Sequence, residues 1–203
     1  MKQDIGINQR IPMNVLESAM LAELQGNASA DYFRELAATE YNGQNRIGKA
    51  VQVINRLTKR NPLLPYLKEN QASIESMLRS KTDKPLLMTA IICSAYGFGY
   101  DVVALLGKHF HAQESVTSVL IRDKMAAKYG SNRSLPNALY CILPMLIEAG
   151  LLERPEVGLY KAIRIGKASD EAKKVYCESF LINNPNFNRN DDFKSNPYFE
   201  FVK

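Results

Sequence analysis

Histidine occurs only twice in this sequence, as His109 and His111, and no cysteine or carboxylate stands nearby at a spacing that would complete a metal site. Cysteine is scarce as well. Cys93, Cys141 and Cys177 are far apart and odd in number, which argues against a disulfide framework and against zinc spacing, and fits buried thiols in a reducing compartment. No G-x-x-x-x-G-K-[ST] phosphate loop is present, and Gly97-Phe98-Gly99 lacks the third glycine of a dinucleotide loop. The paired acids Asp191-Asp192 fall in a polar tail where nothing would shield them from water and tune their pKa. The first ten residues, MKQDIGINQR, contain no apolar core of signal-peptide length. Taken together, the absences point to a non-enzymatic cytoplasmic protein with no metal and no cofactor.

What the chain does contain is apolar residues and an excess of positive charge. With 203 residues and 46% hydrophobic content it is long enough for one sizeable core or two small ones. The net charge of +5 favours an acidic partner. One acid is conspicuously missing: none occurs between Glu40 and Glu69. Within that gap, residues 44–60 read as a helix with Ile47, Ala50, Val51, Ile54 and Leu57 on one face and Arg46, Lys49, Arg56, Lys59 and Arg60 on the other. Solvated helices ordinarily interleave Glu with Lys, so this face suits phosphate neutralisation. A plain solvated face, or one paired with acids elsewhere in the fold, is the alternative.

A second pattern begins near Val116. Leu120 to Tyr129 reads as a helix bearing Arg122, Lys124 and Lys128, closed by Gly130. The turn Gly130-Ser131-Asn132-Arg133-Ser134 leads into a helix with Ser134 as N-cap, buried on Leu135, Leu139, Ile142 and Leu146 and stopping at Gly150. Its other side carries Asn137, Tyr140, Cys141, Pro144 and Glu148. Two short strands, 151–153 and 159–165, joined at Pro155-Glu156-Val157-Gly158, would form a wing. This is the order of a winged helix-turn-helix. In such a fold Asn132, Arg133, Asn137 and Tyr140 would face the duplex, with Lys161 and Arg164 on flanking phosphates.

The remainder is expected to be scaffold. Helices are predicted over Met13 to Leu24, from the Ser29 cap to about Tyr41, over Leu67 to Leu78, and from the Ser169 cap to about Leu181. The apolar run from Pro85 to Gly107 has the length of a bilayer span. Thr89, Ser94, Asp101 and the glycines favour instead two buried helices, Leu86–Tyr96 and Tyr100–Phe110. After residue 182 the chain alternates asparagine with Phe187, Phe193, Tyr198, Phe199 and Phe201, so it is expected to lie across the body with its rings in grooves or to bind a partner. The regions are thus 1–112, helical; 113–182, winged helix and last helix; and 183–203, tail. The fold class is mainly α with a two-stranded wing.

Between Met13 and Leu152 the order of segments resembles the BrxA family, small helical components of the BREX bacteriophage-defence systems. The likeness rests on the Arg46–Leu57 stretch ending INRL, on LLMTAIICSAYGFGYDVVALLGKHF, and on ILPMLIEAGLL. It implies double-stranded DNA binding inside a defence complex whose other proteins supply methylation and ATP-driven functions. The family has also been likened to RNA-binding antitermination proteins, which keeps RNA open. An adaptor that recruits a defence partner through apolar grooves and the tail is the competing expectation. No membrane partner is expected.

Overall fold

The structure is a computed structural model that describes residues 5–130, 132–165, 167–189, 192–193 and 195–202. Ser131 of the expected turn, Met1 to Asp4 at the amino end, and Asn190, Asp191, Lys194 and Lys203 of the tail lie outside the described residues. Helices α1 (Met13–Leu24), α2 (Ala30–Glu40), α3 (Gln44–Leu57), α4 (Leu64–Glu69) and α5 (Gln71–Arg79) precede α6 (Lys84–Ala95) and α7 (Gly97–Phe110). Then come β1 (Ser115–Thr117), α8 (Ser118–Tyr129), α9 (Leu135–Glu148), β2 (Leu152–Glu156), β3 (Leu159–Ala162), α10 (Asp170–Asn183) and a closing 3₁₀ turn (Pro197–Val202).

The centre of the molecule is α6. Every residue from Leu86 to Ala95 is buried, because this helix is apolar all round and has no face to give to water. α10 lies along it, and α3, α5 and α7 close the other sides. The apolar run breaks at Tyr96, which is extended (φ −132°, ψ 105°) and ends α6 while starting α7. Gly97-Phe98-Gly99 is therefore the first turn of α7, and not the connector that the glycines suggest. No helix among the described residues is long and apolar enough to cross a membrane.

Several local signals act as anticipated. The Ser29 hydroxyl accepts from the Tyr32 N–H at 2.9 Å, and the Ser169 hydroxyl from the Ala172 N–H at 3.2 Å. The expected helix from Leu67 to Leu78 is instead two, broken at Asn70, whose side-chain amide donates to the Tyr66 carbonyl at 2.9 Å. Where α3 ends, the buried Asn61 joins it to the centre. Its Nδ2 donates to the Leu57 and Ile91 carbonyls, each at 2.9 Å, and its Oδ1 accepts from the Leu63 N–H at 3.0 Å. Asn61→Ala strands the Leu63 N–H in the core and is expected to lower stability by about 2–3 kcal/mol in urea unfolding. An unchanged midpoint would mean that α3 and α6 are held by apolar packing alone.

The sheet is three-stranded and antiparallel, in the order β1-β3-β2. Ser115 faces Lys161 and Thr117 faces Leu159 on one side of β3, while Leu152 faces Ala162 on the other. The expected two-stranded wing thus lacked β1. A three-residue strand has too few residues to show an alternation in sequence. One continuous apolar cluster runs from Ile5 to Phe201.

Candidate nucleic-acid interface

Thr117 caps α8, its hydroxyl accepting from the Leu120 N–H at 3.2 Å, and the helix buries Ile121 and Met125. The opposite side, with Arg122, Lys124 and Lys128, is exposed. Gly130, at φ 67°, stops the helix in the left-handed region that a side chain would disfavour. Asn132 is half-buried and shapes the turn. Its Oδ1 accepts from the Ser134 N–H at 3.0 Å, and its carbonyl from the Leu135 N–H at 3.0 Å. Ser134 itself makes no side-chain cap.

Helix α9 buries Leu135, Leu139, Ile142 and Leu146 as its periodicity requires, and leaves Tyr140 77% exposed. The rest of the face expected to be open is largely covered. Cys141 is buried, and residues 5–13 run against this side: the Asn137 amide donates to the Asn8 carbonyl at 3.3 Å, and Glu148 pairs with Arg10 while accepting from the Met13 N–H at 3.0 Å. Tyr41 fastens the same segment by donating to the Arg10 carbonyl. The cause is Ile5, Ile7 and Ile11, which are all buried. Their spacing was the one signal in sequence for this cover. Glu148 is thus neutralised and serves the open amino end of α1.

Not all of the expected cations are available. On α3, the Arg56 Nε donates to the Ala95 carbonyl at 3.0 Å with its guanidinium 4.6 Å from the Tyr96 ring centroid, so it closes the carboxyl end of α6. The helix expected to reach Arg60 ends at Leu57, so Lys59 lies in the turn beyond it, where it donates to the Ala28 carbonyl at 3.2 Å, over the Phe33 ring. On α8, Lys128 is paired with Asp101 at 2.6 Å, and the Tyr129 hydroxyl holds the other oxygen of that carboxylate at 2.7 Å. Arg46, Lys49, Arg60, Lys124 and Arg133 are exposed and form no ion pair among the described residues. Lys124 lies close enough to His109 to lower its pKa together with Lys108, after burial, which is the larger cause.

The two basic clusters do not merge. Arg56 and the Tyr129 ring, which packs on Phe98 at 5.1 Å, both sit at the amino end of α7. The turn between α8 and α9 and the carboxyl end of α3 therefore share that end. Lys161, half-buried within β3, and Arg164, exposed beyond it, border Phe110, Gln113 and Glu114 at the other end, roughly 20 Å away along the helix. The turn between β2 and β3 follows Glu156 and carries a 92% exposed Val157. Arg154 lies 6.0 Å from the Tyr160 ring.

The buried thiols are held protonated, Cys93 pushed up to about 12 and Cys141 to about 11, in both cases by burial first. His111 faces Glu200 at 3.2 Å. Among the described residues no group of three or more His, Cys, Asp or Glu could hold a metal ion. What the coordinates define is a mainly helical protein with a small three-stranded antiparallel sheet. No protein-family model, curated protein or solved structure matches the chain.

Proposed function

We propose that this chain is a winged helix-turn-helix protein that binds double-stranded DNA, mainly through phosphate and without catalysis, as an accessory of a BREX-type defence complex. The observation that carries the reading is the order α7-β1-α8-α9-β2-β3 with strands arranged β1-β3-β2. In that order α8 packs on α9 and α9 on β2, as a helix-turn-helix on a wing would, and Arg133, Asn137 and Tyr140 are exposed just before and along the first turns of α9. The defence setting comes from the resemblance to BrxA. The duplex-facing set is Arg133, Asn137 and Tyr140, flanked by Arg46, Lys49 and Arg60 and, farther along α8 beside His109, by Lys124. Asn132, Arg56, Lys59 and Lys128 have partners within the fold, and Lys161 and Arg164 are outside the set.

Fluorescence anisotropy on a duplex tests this. Raising salt from about 50 to about 200 mM is expected to weaken binding roughly 500-fold if five phosphates are neutralised. Lys124→Glu with Arg133→Glu is expected to abolish binding, and reversal at Lys161 and Arg164 to leave it nearly unchanged. Absence of binding at low salt, or equal loss from the two pairs of reversals, overturns the assignment. An RNA duplex of the same sequence, run as competitor, decides the nucleic acid.

A second reading, an adaptor for a defence partner, is favoured by the exposed Tyr140, Val119 and Val157. Val119→Ser with Val157→Ser would then remove complex formation and leave duplex affinity intact.

A further inference from the structure

At the foot of the sheet, where the chain leaves β3 and heads for α10, an open cleft of about 500 Å³ lies over the first turn of α6. Lys81, Arg164 and Lys167 stand around it, Pro85, Ile163 and Ile165 form an apolar floor, and no carboxylate among the described residues lines it. The three cations come from two separate stretches of chain. None has an ion-pair partner among the described residues. Asp83, the acid nearest to Lys81 in sequence, is not in the lining; its carboxylate is turned to the Ser169 N–H, from which it accepts at 2.7 Å.

A concave surface with charge of one sign concentrates its field on whatever enters, and three like charges facing one cleft repel until an anion arrives. Volume and lining match a small-molecule site, apolar with a few convergent polar groups. We propose that the cleft binds a small molecule bearing a phosphate group. Lys81, Arg164 and Lys167 hold the phosphate, and an apolar or planar remainder lies on Pro85, Ile163 and Ile165. A dianion matches three cations better than a carboxylate does, and the guanidinium fork of Arg164 suits two phosphate oxygens at once. Backbone phosphate of a duplex has the same headgroup but nothing apolar to lay on Ile163, which is 38% exposed at the floor. The cleft also lies at the end of α7 away from the Tyr129–Arg133 corner, so the assignment stands independently of duplex binding.

The test uses the full chain with three probes, adenosine 5′-monophosphate, inorganic phosphate and adenosine, followed by amide chemical shifts. The monophosphate is expected to bind with a Kd of about 1 mM or tighter and to shift residues 81–82 and 163–167. Inorganic phosphate should shift the same amides more weakly, and adenosine should not saturate. Lys81→Ala with Arg164→Ala and Lys167→Ala is expected to weaken the monophosphate at least about tenfold at an unchanged thermal midpoint. Ile163→Asp, which brings a carboxylate to the floor, should do the same. No shift up to about 10 mM monophosphate, or equal affinity in both variants, overturns the proposal. So does loss of duplex affinity in the triple variant with no monophosphate binding, because the cleft would then belong to the duplex track.

Discussion

Gly107→Ala is expected to destabilise the protein by about 3 kcal/mol or more, although alanine favours a helix over glycine by about 1 kcal/mol. A Cβ on Gly107 would collide with the Pro197 carbonyl oxygen, and would sit 2.9 Å from the carbonyl carbon and 3.2 Å from Glu200 Cβ. The obstacle is backbone, so no rotamer change relieves it. Either α7 bends or the closing 3₁₀ turn lifts away. Lifting it exposes Phe201, which meets Phe110 edge-on at 6.0 Å, and breaks the bond from the Ile165 N–H to the Phe201 carbonyl at 2.8 Å. Urea unfolding measures the loss, and limited proteolysis should show new cleavage near residues 187–196. A midpoint equal to or above that of the parent would mean that the tail is not seated on α7.

Tyr198→Ala is expected to cost about 4 kcal/mol, the upper range for removing a buried aromatic. Its ring is fully buried and stacks on Tyr176, with centroids 4.3 Å apart and planes at 11°. Its hydroxyl meets the Ser179 hydroxyl at 2.6 Å, and its carbonyl accepts from the Tyr176 hydroxyl at 2.9 Å. Tyr198→Phe keeps the ring and should lose only about 1 kcal/mol. Equal losses in the two variants, read from the same denaturation curves, would show that the hydroxyl network and not the packing holds the segment. This bears on the adaptor reading. Removing residues 183–203 to test partner binding would strip the core of Tyr198 and Phe201, so any lost interaction would report unfolding. Phe187, 42% exposed, is the tail ring that can be changed without that consequence.

Much of the helical content was legible because it rests on local chemistry. Ser29 and Ser169 are caps by virtue of their own hydroxyls, and the α9 stripe follows from 3.6-residue spacing. The uniform apolarity of residues 86–95 told that α6 would be surrounded. Which of the expected cations would stay free of internal partners was not legible. Arg56 and Lys128 sit on the polar side of their helices as the pattern requires and Lys59 just past the end of α3, yet Arg56 and Lys59 bind carbonyls of distant segments and Lys128 binds Asp101. Nothing in the periodicity of a helix says which of its exposed cations will find an acceptor across the fold.

By itself, the sequence determined where most of the helical segments lie, which stripes are buried, and that the acid-free stretch after Glu40 would present cations, since each of these is set within a few residues along the chain. Tertiary structure alone decided that Ser115–Thr117 would join a strand more than forty positions later, that Ile5, Ile7 and Ile11 would draw the amino-terminal segment over α9, and that the two groups of cations would end at opposite ends of α7. Those outcomes depend on which apolar surfaces meet. Burial is non-directional and gains its free energy from area wherever that area comes from, so it leaves no local mark of the partner it will choose.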